Sequence, residues 1–506
     1  MIKPTLPIIA VVFLLYAFFG HLIPGTFGHP PYTMATLSGQ LFLTTGGIWG
    51  LLVGVSTNVI AIFVFFGAFV FATGGGTGFM RLAVRLAGRF SGGPAKVATV
   101  SSALFGSISG SASANVATTG SFSIPMMKRL KYKPEMAAAV EAVASTGGQI
   151  MPPIMGAGAF VMAELTETPY LEVAYHALLP ALLYFLAAGM GIHFYSRREG
   201  YIGVSAEEIP TWRDTLRSSG FFLIPFLILI VFLLFQYTPQ YAAFWATLST
   251  LFLAFLNDQW RPELRSALPR IGQAVRGGAR QAALIASITA SAQIIIAVIA
   301  MTGLGVKVSS SVLSISQGKL FISLLLIALT SIILGMEVPT TAAYIMAVVV
   351  GGPVLMEFGL PALAVHFFVF YYAILSAITP PICGAVYIAA GMADANWVGT
   401  ARISLKLGFA AFILPFLFVY NRSLLLIGDN LPGTLFIVAR TAGAILFLSA
   451  GLMGFWRFRL RQGRRGIMIA AGILMMLPYL PANLVGLVIG VATAFVRKEL
   501  VPSAER

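Results

Sequence analysis

The sequence is short of charge, of cysteine and of acid. Only 10% of its residues are charged, and Lys+Arg number 32 against 17 Asp+Glu. An ordinary soluble domain carries about 25% charged residues. So little charge, with 58% hydrophobic residues and a mean hydropathy of +0.90, excludes a soluble globular enzyme, a nucleic-acid-binding domain and a disordered chain. One cysteine, Cys383, excludes a disulfide framework and a cysteine-based metal cluster. The five histidines never fall at metal-ligand spacing. The net +15 does not point to nucleic acid, because the basic residues sit in short loops between apolar runs. That is the positive-inside pattern of a multi-pass inner-membrane protein.

What is there is a succession of apolar runs. A hydrocarbon core of about 30 Å needs about 20 apolar residues per helix. Spans are expected at Leu6–Pro24, Trp49–Ala72, Tyr170–Tyr195, Phe221–Gln236, Tyr241–Leu256, Gln281–Thr302, Trp397–Tyr420, Leu435–Phe455 and Gly466–Val496, the last broken at Pro478 and Pro481. The first lacks a small-residue cleavage site and reads as a span, not a signal peptide. Clusters such as Arg81/Arg85/Arg89, Lys128/Arg129/Lys131 and Arg457/Arg459/Arg461 share the cytoplasmic side in one threading, and Thr26–Gly47, without Lys or Arg, faces outward. That threading requires Ala95–Pro125 and Lys319–Pro353 to enter and leave on one side, as re-entrant hairpins. The fold class is therefore an all-α polytopic membrane protein.

An internal repeat follows. Gly106-Ser-Ile-Ser-Gly-Ser-Ala-Ser-Ala-Asn115 precedes Ser145-Thr-Gly-Gly-Gln-Ile-Met-Pro-Pro153. Gly335-Met-Glu-Val-Pro-Thr-Thr-Ala-Ala-Tyr344 precedes Ser376-Ala-Ile-Thr-Pro-Pro381. Gly106 to Pro152 is 46 positions and Gly335 to Pro380 is 45, so the halves are offset by about 228. The threading inverts them. Paired interrupted segments in inverted halves are the sequence pointer to a secondary-transporter site; the competing reading is close helix packing through small residues.

Hairpin tips expose half-helix amides, which favour a carboxylate, and half-helix carbonyls, which can hold Na⁺. Ser109, Ser111, Ser113, Asn115, Thr119, Gln149, Thr340 and Thr341 are the candidate substrate contacts. Any one hydroxyl could instead bond its own i−4 carbonyl. No Lys, Arg or His lies within 106–115, 145–153, 335–344 or 376–381. Glu337 is the one acid at a tip and reads as a Na⁺ ligand, a proton carrier or a helix cap. Glu141 and Glu164, towards opposite ends of one interrupted helix, are expected to be solvated. His176 and His366 are expected to make interhelical hydrogen bonds. Two arginine-bearing stretches, Phe79–Phe90 and Leu268–Arg280, read as interfacial arms preceding the two halves at comparable positions. Gly74–Gly78 lacks the Lys-Ser/Thr ending of a phosphate loop.

The run from Gly106 to Val116, with Val140–Pro153, Gly335–Thr341 and Thr379-Pro-Pro, resembles the large membrane subunit of TRAP transporters, more narrowly the TAXI-type, fused-permease branch. The resemblance covers about residues 1–425, with a first half of about 1–219 and a second of about 220–425, and leaves 426–506 as extra transmembrane helices. It implies an inverted-repeat, elevator-type, Na⁺-driven importer of an organic acid, fed by a TAXI-type periplasmic binding protein. Its Na⁺ sites map to Ser109, Gly110 and Asn115 with Gly147 and Gly148, and to Gly335, Glu337 and Thr340 with Ala377 and Thr379. No cofactor is implied beyond Na⁺ as coupling ion. Fused members carry a four-helix small-subunit domain ahead of this segment; here that module is expected as another chain, or lost, or missing through a truncated gene model. A channel would show charged rings or filter loops, and an intramembrane hydrolase a nucleophile with a base; the sequence shows neither. A stand-alone H⁺-coupled carrier and the permease of a primary pump are the alternatives.

Overall fold

The computed structural model describes residues 5–257, 259–336, 338–428 and 431–495. Among these it is all helix, without a strand. The elements begin with α1 (Thr5–Phe19), α2 (Met34–Leu43), α3 (Leu51–Val55) and α4 (Ala61–Val70). α5 (Gly76–Ala87), α6 (Gly93–Ser109), α7 (Ala112–Arg129), α8 (Pro134–Gly147), α9 (Ala157–Leu165) and α10 (Tyr170–Glu199) complete the first half. α11 (Trp212–Leu234), α12 (Pro239–Leu253), α13 (Leu264–Thr302), α14 (Leu304–Ser316), α15 (Leu320–Gly335), α16 (Thr340–Glu357), α17 (Ala362–Leu375), α18 (Gly384–Ala393) and α19 (Trp397–Tyr420) form the second. α20 (Leu431–Met453), α21 (Gln462–Met476) and α22 (Leu480–Phe495) close the chain. Each expected span is met by a helix, and Gly466–Val496 divides into α21 and α22 around Pro478.

Both hairpins form. α6 ends at Gly110, whose φ of 58° is left-handed, and the Ser111 hydroxyl caps α7 by accepting from Ala114 N. Glycine supplies the reversal without a Cβ penalty, and serine satisfies an orphan amide. α15 ends at Gly335 and α16 begins at Thr340, with Pro339 immediately before it. After each hairpin a helix breaks: α8 passes through a 3₁₀ turn at Gly148–Ile150 before α9, and α17 through one at Ser376–Ile378 before α18. The Pro152-Pro153 and Pro380-Pro381 bonds are both cis.

The repeat keeps its register to within one residue. Subtracting start residues gives 304 − 76 = 228 for α14 on α5, 340 − 112 = 228 for α16 on α7 and 362 − 134 = 228 for α17 on α8. It gives 384 − 157 = 227 for α18 on α9 and 397 − 170 = 227 for α19 on α10. Pro125 and Pro353 stand in matching helices at the same offset. This corrects the expected pairing of arms. The counterpart of α5 is α14, not Leu268–Arg280, which runs unbroken into the span Gln281–Thr302 as part of α13. The joints also match, since α4 kinks into α5 at Gly74 (φ 107°) and α13 into α14 at Gly303 (φ 62°).

Two packing groups result. α1, α3, α4, α5, α11, α12 and α13 pack on one another. The hairpins and interrupted helices α6–α9 and α15–α18 form the other group, backed by α10 and α19. They meet where α5 packs on α6, where Gly67 of α4 faces Ile108 of α6, and where the Phe63 and Phe160 rings stand 4.4 Å apart. α20 lies on α10, α21 on α20 and α22 on α21.

Candidate functional site

The first hairpin is seated on the first break by small residues. A Cβ on Gly106 would meet the Gly148 Cα at 2.4 Å, and one on Gly147 would strike the Tyr184 ring. Tyr184 is itself fixed by a 2.7 Å bond to Val143 O. Asn115 then stitches hairpin to break. Its Nδ2 donates to Ser102 O at 2.9 Å and to Ser145 O at 3.3 Å. Its amide nitrogen thus clamps two backbones, and its Oδ1 lies 3.3 Å from the Thr119 hydroxyl.

Gln149 lies at the break itself. It is 1% exposed, and among the described residues neither polar atom of its amide has a hydrogen-bond partner. A buried amide left unpaired is unfavourable, so it points to a site completed by something the protein binds.

The second half is built alike. A Cβ on Gly335 would meet Ser376 Oγ at 2.3 Å, so the α15 end rests on the second break. Thr379 Oγ1 donates to Leu375 O at 2.8 Å. Ala377, Thr340 and Thr341 are partly buried. Glu337 lies outside the described residues. The halves meet where Ser113, exposed at the start of α7, comes within 3.8 Å of a Cβ placed on Gly384, the first residue of α18. Two half-helix N-termini, one from each half, therefore converge. Their free amides attract an anion. Ser109 Oγ is 3.5 Å from Ser111 O at the same tip.

The structure thus gathers Gly147, Gly148 and Asn115, sets Ser113 against the other half, and sets Gly335 on the second break. Thr119 is the exception. Its hydroxyl stands 2.8 Å from Asn115 O and within hydrogen-bond distance of the Glu141 carboxyl, about two helical turns beyond the tip.

Glu141 overturns an expectation. It is 0% exposed, not solvated. Oε1 accepts from Ser145 at 2.9 Å, from Ser102 at 3.2 Å and from Thr119; Oε2 accepts from Ser123. Among the described residues its carboxyl has no ion pair. Ser102 and Ser123 carry no sequence expectation, and Ser145 enters only as the start of the first break motif. The available signal was Glu141 and Ser145 at i and i+4 inside an apolar run. Glu164 is exposed, as expected. Both histidines are held as expected, His176 Nδ1 by Leu425 O at 2.5 Å and His366 Nδ1 by the Tyr344 hydroxyl at 2.6 Å.

A cavity of about 120 Å³ opens where the two packing groups meet. Phe71, Gly74, Thr77 and Met80 line one side; Ser101, Phe105, Thr118 and Thr119 line the other.

A family model described as the tripartite ATP-independent periplasmic transporter, DctM component, matches residues 1–429. The chain is similar to the uncharacterized protein y4mL of Sinorhizobium fredii, 30% identical over 179 residues, which are 35% of this chain and 42% of that one. It is similar to the isethionate TRAP transporter permease protein DctMQ of Oleidesulfovibrio alaskensis, 25% identical over 359 residues, 70% of this chain and 55% of that one. It is also similar to the C4-dicarboxylate TRAP transporter large permease protein DctM of Pseudomonas aeruginosa, 23% identical over 347 residues, 68% of this chain and 79% of that one. The chain spans about half the length of the first two.

Proposed function

This multi-pass membrane chain belongs to the DctM family of tripartite ATP-independent periplasmic transporters, and on that premise we propose that it is the permease of a secondary importer, not an enzyme. Its substrate is an organic anion, its driver Na⁺, its place the bacterial inner membrane and its partner a periplasmic binding protein of TAXI type. A small four-helix membrane subunit belongs to the same assembly. The two named relatives carry a sulfonate and a dicarboxylate in their printed names, and both are organic anions. One observation carries the reading: half-helix N-termini from opposite halves converge at Ser113 and Gly384, and the break of the first half holds the buried Gln149 amide, without a hydrogen-bond partner among the described residues.

The binding protein follows from the absent charge. Segments 106–115, 145–153, 335–344 and 376–381 contain no basic residue. A helix N-terminus contributes about 0.3–1 kcal/mol when exposed and about 2 when partly buried. Micromolar capture needs about 8 kcal/mol. A soluble receptor that concentrates the anion supplies the difference.

The hairpins and interrupted helices move as a unit against the α1–α5 and α11–α13 group in an elevator motion. The test is uptake into proteoliposomes, with and without the cognate binding protein and a Na⁺ gradient. Uptake that needs both supports the proposal. Saturable uptake at micromolar substrate without any binding protein makes the chain a stand-alone carrier instead.

A further inference from the structure

The Glu141 carboxyl sits behind the first hairpin, where α6, α7 and α8 meet, and its hydrogen-bond partners among the described residues are all hydroxyls: Ser102, Thr119, Ser123 and Ser145. We infer that this cage is a proton-binding site of the transport cycle, loaded through Thr119, acting beside the ion sites at the tips. It rests on the permease reading above and adds a second coupled ion to it.

Hydroxyls are the groups a reversible proton site needs. Each can donate to a carboxylate or rotate to accept from a carboxylic acid. With Glu141 ionised, all four donate to it. With Glu141 protonated, its own O–H donates to one of them, and the Thr119 hydrogen turns to Asn115 O, 2.8 Å away. Both states are fully hydrogen-bonded, whereas an arginine or amide cage would hold only the ionised one. A sodium ion would have to spread oxygens that already stand at hydrogen-bond distance; a proton displaces nothing.

No neighbouring charge does this work. On α7, Lys128 pairs with Asp394, which follows α18, and Arg129 pairs with Glu208. On α6, Lys96 meets His193 of α10 at 3.1 Å. Tyr184 of α10 donates to Val143 O. His366 of α17 is bound by Tyr344, and Tyr372 donates to Phe412 O. Tyr371 of α17 has no hydrogen-bond partner among the described residues. On α18, Tyr387 donates to Pro381 O, and Cys383 before it is free and buried. Arg402 and Lys406 of α19 are exposed, and Glu135 lies at the far end of α8 itself. A carboxyl so buried, with no cation, is a functional residue by default in a membrane.

Two further observations separate this from a packing accident. The repeat lacks it: at the 228 offset, Glu141 corresponds to Val369, Thr119 to Ala347, Ser123 to Gly351 and Ser145 to Ala373, all buried, while Ser102 corresponds to Thr330, which is exposed. The same helices pack there without a polar cage, so the fold does not require one. The cage also has an entrance. Thr119 lines the cavity between the packing groups. A proton arriving from solvent at Thr119 Oγ1 releases the hydroxyl hydrogen to Glu141 Oε1, leaving threonine unchanged and the carboxyl neutral. Thr119 also reaches Asn115, which holds the hairpin on the break, so protonation is felt at the tip.

The experiment uses the full-length protein in lipid, as wild type, Glu141→Gln and Glu141→Asp. Infrared difference spectra across a pH titration read the protonated-carboxyl carbonyl band without any transport. We expect a titrating band in wild type and Glu141→Asp that is absent from Glu141→Gln. Uptake with the binding protein and constant Na⁺ should rise several-fold with an inward proton gradient in wild type, and change less than about twofold in Glu141→Gln. No Glu141-dependent titrating band overturns the inference, as does full proton-gradient dependence in Glu141→Gln. If no variant transports, wild type included, the importer reading fails and the spectra alone decide the proton site.

Discussion

Gly110 at the first hairpin tip and Gly156 after the first break are in backbone contact: a Cβ on either would lie 2.3 Å from the other's Cα. Both also hold positive φ, 58° and 71°. A left-handed conformation disfavours any Cβ by about 1–2 kcal/mol, and overpacking adds about 1–3. Gly110→Ala is therefore expected to lower the apparent thermal midpoint and abolish uptake. Gly189→Ala, a helical glycine with open space around it, should be neutral or stabilise by about 0.5–1 kcal/mol. Equal melting of the two variants would show that the contact at Gly110 is not tight.

Gln149 separates stability from function. Its buried amide is unpaired, which costs about 1–3 kcal/mol. Gln149→Leu should match or exceed wild type in thermal stability while uptake falls at least about tenfold. Stability gained with uptake intact would mean that the amide contacts nothing the protein carries.

Thr379 carries the sodium prediction. Its hydroxyl donates to Leu375 O beside the second break, and a hydroxyl oxygen that donates still has lone pairs with which to coordinate a cation. Thr379→Val loses that bond, worth about 1 kcal/mol, and should raise the Na⁺ concentration for half-maximal uptake several-fold. An unchanged Na⁺ dependence makes the hydroxyl structural. Uptake that persists without Na⁺ and collapses with the pH gradient would leave the proton as sole driver.

Much of the fold was legible because its marks are local. Gly110, Ser111 and the Pro-Pro pairs state their turns within a few residues, and the 228-residue offset repeats them. The histidines were legible because an imidazole in an apolar helix must find a partner. The arm pairing was not. Arginine spacing at Leu268–Arg280 imitates Phe79–Phe90, but the counterpart of α5 is fixed by distance to the next hairpin, and α14 carries a single charge, Lys307. Glu141 was hidden for a different reason. Its partners lie on three helices at 102, 119, 123 and 145, and which way α6 and α7 face is settled only by packing. Its place towards one end of an interrupted helix suggests solvent, while the neighbouring Ala137–Val140 and Ala142–Ala144 are all buried.

The last prediction concerns motion. Gly67 on α4 belongs to one packing group and Ile108 on α6 to the other, and a Cβ on Gly67 would lie 2.6 Å from Ile108 Cγ2. Two surfaces that slide past each other need a small residue where a tip passes, and glycine is the smallest. The only native cysteine, Cys383, is buried, so a double variant Gly67→Cys/Ile108→Cys can be cross-linked with little background. If the hairpins travel as a unit, cross-linking at this contact should stop uptake, and reduction should restore it to the level of the untreated variant. Each single variant, treated alike, should keep its activity and control for chemical damage. Gly67→Leu should slow uptake without any cross-link, because the added side chain must be cleared in every cycle. Full transport by a cross-linked protein would mean that this contact stays closed while substrate crosses, and the mechanism would then be a local opening of the hairpin tips about fixed helices.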